Sequence, residues 1–147
     1  MNRQPQASGE LNLTRVFDAP RDLVFRCMIS PEHLTHFWGP AGVSAPIEHI
    51  KVDPRPGGVF ETLMVNDTDG STYSTRAVYV EVTAPERLVW TEPGTGMTTT
   101  STFTDLGGAR TEVRIHQANV PDSIRPEDQA RFQTSLDRFA AYLKTRL

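Results

Sequence analysis

The chain has 147 residues, and its 15 basic and 18 acidic side chains give a net charge of −3 at pH 7. With 37% hydrophobic and 22% charged residues, the composition is typical of a globular protein and argues against general disorder. A weakly acidic chain with no basic run is a poor candidate for nucleic-acid binding, and no apolar stretch approaches the roughly 20 residues that span a bilayer. We therefore expect neither nucleic acid nor a membrane among its partners.

The length fits one average domain. Residues 1–9 are polar, and they predict a flexible N-terminal tail ahead of a single domain over residues 10–147. Cys27 is the single cysteine and excludes an internal disulfide. The first ten residues also lack the apolar core of a signal peptide. These features favour a cytoplasmic location.

The beginning of the domain predicts one strand followed by two short helices. Apolar and polar residues alternate from residue 11 to residue 17, as in a strand with one buried face. Residues 20–28 have an amphipathic helical pattern that begins with proline, which suits the first turn of a helix. The sequence Ser-Pro-Glu from Ser30 repeats this start signal, with serine as the expected cap of a helix over residues 31–36.

The rest of the chain predicts strands and one long helix. Residues 43–117 contain short runs rich in Val, Thr, Tyr and Phe between turn sequences, which indicates six hairpin-linked strands and about seven in all. From Pro126 to Leu147, apolar residues recur at helical spacing, at Phe132, Leu136, Phe139 and Leu143. This order predicts the α+β class, with a curved antiparallel sheet covered by the C-terminal helix and a gap between them suited to a small ligand.

Several segments, taken in order, resemble the START-like superfamily, also called SRPBCC or birch-pollen-allergen-like, and within it the homologues of the heat-shock chaperone ATPase activator. The similarity covers about Leu11 to Leu147 and rests on Arg15–Phe25, Ser30–Leu34, Phe37–Pro40, Asp53–Gly58, Asp69–Gly70, Pro85–Trp90 and Gly108–Val113. The resemblance implies the helix-grip fold, in which the sheet wraps around the last helix. Members of this superfamily include lipid carriers, enzymes acting on polyketides, hormone receptors and chaperone activators.

Residues with reactive side chains give weaker signals. His33 and His36 have the spacing of a metal-binding pair on a helix, but no third ligand is evident nearby, so we expect no metal and solvent-facing imidazoles. Cys27 lies among apolar residues and is interpreted as a small buried hydrophobe, with a nucleophilic role as the alternative. We find no phosphate-binding or dinucleotide-binding motif and expect no cofactor. No catalytic residue is assigned.

Acidic residues in the strand region could supply a general base, the candidates being Glu48, Asp53, Glu61, Glu81 and Glu92. Most acids on strands face water. Glu61 alternates with Phe60 and Thr62, so the register that turns the aromatic ring towards the helix turns this carboxylate outward. The opposite register would bury Glu61 and raise its pKa. We favour the first register.

The stronger candidates are residues that would line the gap between sheet and helix. They combine aromatic or apolar walls with hydroxyl groups and are Trp38, Phe60, Thr62, Met64, Tyr73, Thr75, Tyr79, Trp90 and Phe132. Each of them taken alone could equally be a core residue. Together they fit an apolar pocket with a few polar groups.

These observations predict a domain that binds a small apolar or aromatic ligand in an internal hydrophobic cavity. One alternative is a cyclase or hydrolase type of enzyme that uses the same cavity, and an ionisable side chain of shifted pKa in the cavity would distinguish it from a carrier. A second alternative is a chaperone-associated interaction module, which the family resemblance suggests. A homodimer is also expected to be possible through the outward-facing strand residues Leu63, Val78 and Val80.

Overall fold

The computed structural model describes residues 9–121 and 126–147 and confirms the α+β class. Its strands and helices, in chain order, are β1 Gly9–Phe17, α1 Arg21–Met28, α2 Pro31–Leu34, β2 Val43–Ser44, β3 Lys51–Val52, β4 Val59–Asn66, β5 Thr72–Thr83, β6 Arg87–Thr91, β7 Thr98–Gly107, β8 Arg110–Val120 and α3 Pro126–Lys144. A 3₁₀ turn covers Ile47–His49 between β2 and β3.

All strands belong to one open antiparallel sheet with the order β1-β8-β7-β6-β5-β4-β2. The two-residue strands β2 and β3 pair with the same outer edge of β4, one near each of its ends. They bring the number of strands in the described residues to eight, against the predicted seven. Strands of two residues are too short to show alternation, which explains why the sequence pattern does not reveal them.

The two short helices lie where the sequence predicts them, but the end of α2 and the capping of its first turn differ from the prediction. Helix α2 begins at Pro31 as expected but ends at Leu34, two residues early. Ser30 makes no side-chain capping bond to this helix. Its hydroxyl instead donates to the carbonyl oxygen of Arg26 at 2.6 Å, which ties the start of α2 to the last turn of α1.

Helix α3 packs on the inner face of the sheet through its apolar stripe. Leu136, Phe139 and Leu143 are buried, as the helical spacing predicts, and Phe132 is half-buried. The Phe139 ring lies between the rings of Phe17 and Phe37, with centroid distances of 5.0 and 4.2 Å. The principal core therefore lies between α3 and the sheet, with α1 and α2 joined to it.

Strand β1 begins at Gly9, two residues before the predicted start of the strand, because Gly9 pairs with Val120 of β8. Residues 1–8 lie outside the described part of the chain, and the single-domain boundary stays a prediction. Within the described ranges, no helix has the length and hydropathy required to cross a membrane.

The burial of Leu143 generates the first prediction. Leu143→Ala should lower the free energy of unfolding by about 2–5 kcal/mol, because truncation removes apolar contacts and leaves a cavity. Urea denaturation would measure the change. Lys144→Ala, at the neighbouring exposed position, is the matched control and should change stability by less than about 0.5 kcal/mol. Equal effects of the two substitutions would contradict this packing of α3.

Candidate functional site

A pocket of about 210 Å³ lies between α3 and the inner face of the sheet. Side chains from five strands, from the end of α1 and from the segment after α2 contribute to it. Its lining includes Met28, Phe37, Trp38, Phe60, Ala77, Trp90, Glu92, Thr99, Ser101, Ile115, Gln117, Phe132, Ser135, Leu136 and Phe139, with Thr75 and Arg76 at one side. The lining is mostly apolar, with polar groups concentrated on the sheet.

The floor of the pocket consists of small side chains on the inner face of the sheet. Along β7, the inward residues are Thr99, Ser101 and then Phe103. Along β5, Ala77 occupies the position two residues before Tyr79. The large residues further along each strand fill the core, whereas the small ones leave space beneath the middle of α3, between Phe132 and Phe139. The pocket follows from this difference in side-chain size.

Three aromatic side chains form one wall. The ring centroids of Trp38 and Phe60 are 5.0 Å apart, and those of Phe60 and Trp90 are 5.6 Å apart with nearly perpendicular planes. Trp38 and Trp90 are also in an edge-on arrangement at 6.4 Å. Such edge-to-face contacts fix the orientation of each ring, so the wall is preformed.

The segment that carries Trp38 is fastened to α3 through its backbone. Arg138 Nη1 donates to the carbonyl oxygens of Gly39, Pro40 and Val43 at 2.8, 3.0 and 2.9 Å. Gly39 has a φ of +94°, and a β-carbon there would stand 2.5 Å from Met64 Cε. Glycine is therefore favoured by the backbone conformation, and a β-carbon would in addition displace the end of the Met64 side chain. These contacts set the position of the Trp38 ring.

The polar groups of the pocket lie mainly on β6, β7 and β8. Gln117 Nε2 donates to Thr99 Oγ1 at 3.2 Å, so these two side chains are held together. Glu92 follows the last residue of β6 and also lines the pocket. Burial raises the pKa of its carboxyl above the usual value for glutamate. An ionisable group thus faces a largely apolar space.

A second recess of about 270 Å³ adjoins the pocket and shares Trp38, Thr75, Phe132 and Ser135 with it. Its own lining residues include Met64 and Arg131, together with the exposed Tyr73. Because Tyr73, Thr75 and Arg131 are all solvent-exposed, this recess marks the side from which the pocket opens to solvent.

The nine predicted site residues divide into three groups. The main pocket is lined by Trp38, Phe60, Thr75, Trp90 and Phe132. Met64 and Tyr73 line the second recess. Thr62 and Tyr79 line neither of the two spaces.

Thr62 and Tyr79 are buried behind the pocket wall. The Thr62 hydroxyl is bonded to Thr75 Oγ1 at 2.6 Å and contacts Met64 Sδ at 3.1 Å. The Tyr79 ring lies parallel to that of Phe60 with centroids 6.3 Å apart. Its hydroxyl has no hydrogen-bond partner among the described residues, and burial, with a smaller effect from Asp53, raises the pKa of this hydroxyl. The expected contact between Tyr79 and a ligand is therefore not supported by its position.

Sequence reasoning missed the residues that form the pocket floor and its polar side. Ala77, Thr99 and Ser101 are absent from the predicted site residues, because the prediction selected large aromatic side chains and not the small side chains that leave space for a ligand. The β7 sequence does not alternate, because its outward residues are threonines as well, and the available signal was the run of small residues before Phe103. Gln117 and Ser135 were also missed, and Glu92 appeared only as one of several possible bases.

The predicted register of β4 is confirmed. Phe60, Thr62 and Met64 are buried on the inner face, whereas Glu61 faces outward and binds Arg76 Nε at 3.0 Å. Of the five acidic candidates, Glu92 is the one found in the lining of the pocket.

The histidine pair is not simply solvent-facing as predicted. His33 is half-buried, and its Nδ1 lies 2.6 Å from the Tyr142 hydroxyl. The exposed His36 stacks on the same Tyr142 ring with a centroid distance of 5.3 Å. Both histidines thus attach α2 and the residues after it to α3. In the described part of the chain, no group of three or more His, Cys, Asp or Glu side chains is arranged to hold a metal ion.

An antiparallel sheet with a long C-terminal helix across it and a pocket between them defines the helix-grip architecture of START-like proteins. A family model described as "Activator of Hsp90 ATPase homolog 1-like protein" matches residues 18–144. The chain belongs to this family. No curated protein sequence shows significant similarity to it.

Solved structures agree with the family assignment. Protein CV1439 from Chromobacterium violaceum is 28% identical, with a TM-score of 0.82 over 90% of this chain and 96% of that one. Protein NE0264 from Nitrosomonas europaea is 25% identical, with a TM-score of 0.80 over 93% and 95% of the two chains. An AHSA1-like protein from Aeromonas hydrophila shares the fold at 20% identity, with a TM-score of 0.81 over 94% of each chain.

The environment of Cys27 generates the second prediction. Burial raises the pKa of its thiol to about 11, although Arg26 and Arg146 act in the opposite direction. At pH 8 roughly one thiol in a thousand is then ionised, and the reactive form is the thiolate. An aromatic disulfide reagent should label the native protein slowly and the urea-denatured protein rapidly. Rapid labelling of the native protein would identify Cys27 as a reactive thiol.

The third prediction concerns the pH dependence of stability. Because the pKa of Glu92 is higher in the folded than in the unfolded chain, unfolding releases a proton between the two values, and stability falls as pH rises through that range. Glu92→Gln removes this ionisation. The variant should gain stability relative to the natural chain from pH 4 to pH 8, as measured by urea denaturation. Exposed Glu86→Gln is the control, and a constant difference for Glu92→Gln across this range would contradict the prediction.

Proposed function

We propose that the chain binds a small apolar or aromatic molecule in the pocket between α3 and the sheet. The observation that carries the proposal is the combination of a preformed aromatic wall, Trp38, Phe60 and Trp90, with a floor of small side chains. Burial of apolar surface would supply most of the affinity. The START-like fold, whose members typically bind hydrophobic ligands, supports the same assignment.

The size of the pocket restricts the ligand. An apolar cavity of about 150 Å³ accommodates benzene, so the 210 Å³ here suits a body of one or two rings. A substituent could extend through the opening beside Thr75 into the second recess. A long lipid chain is therefore a less suitable occupant than a compact ring system.

Glu92 supports a second candidate function, an enzyme that uses the same pocket. A partly buried carboxyl of raised pKa in a ligand pocket is a suitable general acid or base.

A chaperone-associated role, a homodimer and a cytoplasmic location remain predictions. For the homodimer, Val80 is 56% exposed on the outer face of the sheet.

The fourth prediction tests the pocket with naphthalen-2-ylmethanol, a neutral two-ring probe. It should bind one site per chain and change the fluorescence of Trp38 or Trp90. Ala77→Leu places extra volume in the pocket floor and should weaken binding by at least about tenfold, as measured by calorimetry. Ser74→Leu is the matched control, because Ser74 is exposed on the opposite face of the same strand, and it should leave binding unchanged.

Stability gives an independent readout of the same variants. If the pocket is open in solution, the leucine side chain at position 77 occupies it with little change in the free energy of unfolding. If the core is closed there, overpacking should lower the free energy of unfolding by about 1–3 kcal/mol. Loss of stability together with absence of probe binding would overturn the proposed function.

Native mass spectrometry of protein purified from its own host would identify a retained ligand. A retained molecule that is released unchanged supports binding. A molecule whose mass changes on incubation with the natural chain, and not with Glu92→Gln, would assign catalysis to the pocket.

A further inference from the structure

The carboxylate of Glu92 is held at the pocket by its backbone. Trp90 faces inward, and the Thr91 hydroxyl is bonded to Thr98 Oγ1 at 2.7 Å on the outer face, so strand alternation directs Glu92 inward. Its N–H donates to the Met97 carbonyl at 2.9 Å, and its carbonyl accepts from Gly96 N at 2.8 Å. These bonds close the turn after β6 and fix the point from which the side chain extends.

Several acidic side chains of the sheet have basic partners, and Glu92 differs from them. Glu61 pairs with Arg76, and Glu81 pairs with Arg87. For the Glu92 carboxylate, the described residues provide neither a hydrogen bond nor an ion pair, although its surroundings are partly buried. Partial removal of a carboxylate from water without a protein partner disfavours its ionised form, and a ligand could supply the missing partner.

The neighbouring groups favour a cationic partner. Gln117, which lines the pocket, donates its amide N–H to Thr99, and its carbonyl oxygen accepts no hydrogen bond from the described residues. The faces of Trp38, Phe60 and Trp90 attract cations through their ring quadrupoles. Arg76, the arginine beside the main pocket, directs its guanidinium to Glu61 on the outer face. Arg131 is at the second recess, on the solvent side.

We propose that the pocket selects an organic ammonium ion, a small molecule with an apolar or aromatic body and one protonated amine that pairs with Glu92. This inference rests on the proposed small-molecule function and specifies its ligand class. The apolar body would occupy the space above Ala77 and Ser101, and the ammonium group would lie between the carboxylate and the aromatic wall.

The fifth prediction compares two probes of nearly equal shape, naphthalen-2-ylmethanamine, which is cationic at pH 7.5, and the neutral naphthalen-2-ylmethanol. Calorimetry should show that the natural chain binds the amine on the order of tenfold more tightly, as expected for a charge-assisted hydrogen bond in a partly buried site. Glu92→Gln should abolish the preference while retaining binding of the alcohol. Glu92→Asp keeps the charge and should retain part of the preference, and Glu86→Gln should retain all of it.

The outcomes separate this inference from the proposed function. Equal affinity of the natural chain for the two probes, or an amine preference that survives in folded Glu92→Gln, would overturn the ammonium assignment and leave small-molecule binding intact. Binding of neither probe would overturn both. Thermal unfolding of each variant verifies that a lost preference does not reflect an unfolded chain.

Discussion

The packing of the Phe139 ring, stacked on Phe37 and tilted against Phe17, is the contact on which the rest of this structure depends. It joins the first strand, the segment after the second short helix and the C-terminal helix, three parts of the chain that are distant in sequence. Leu143 continues this packing towards the end of the helix. Phe139 also borders the pocket, so the contact that fixes the helix lies next to the small residues of β5 and β7. The pocket exists because the side chains of the sheet beneath the middle of the helix change from large to small.

The same helix also positions the aromatic wall. Arg138 binds three backbone carbonyl oxygens of the segment after Trp38, and Thr134 Oγ1 accepts the N–H of Ala41 at 3.0 Å. Hydrogen bonds from a charged group are stronger than those between neutral groups, so the guanidinium group of Arg138 holds this loop firmly to the helix. Helix, loop and Trp38 therefore form one unit. A displacement of the helix would move Trp38 relative to Phe60 and Trp90 on the sheet and change the shape of the pocket.

The sequence could predict the fold because alternation and helical periodicity report which side of each element is buried. It placed Phe60 and Met64 inward and Glu61 outward, and it identified Leu136, Phe139 and Leu143 as the buried stripe. It could not place Tyr79, because alternation gives the face of a sheet but not which positions along a strand the helix leaves uncovered. An aromatic residue that fills a core and one that lines a pocket have the same local pattern. The floor residues Thr99 and Ser101 were missed for a related reason, since β7 carries small residues on both faces and its sequence does not distinguish the inward positions, where they leave space, from the outward ones.

Glu92 is an acidic residue without a basic partner among the described residues beside an apolar pocket wall, and such a departure from the usual packing pattern can indicate function. A residue selected only for packing would place an apolar side chain beside Trp90, or would give a carboxylate a basic partner as Glu61 and Glu81 have. Burial instead raises the pKa of an acid, which means that its ionised form is disfavoured in the folded chain. Natural proteins depart from local rules mainly at functional sites, with stability supplied elsewhere in the structure. Here the contacts of Phe139 with Phe17 and Phe37 and the buried apolar stripe of the helix supply it, directly beside the pocket. A helix–sheet interface in which large residues stabilise the fold, while small residues next to them leave room beside an acid without a partner in the described part of the chain, is the arrangement expected of a binding site.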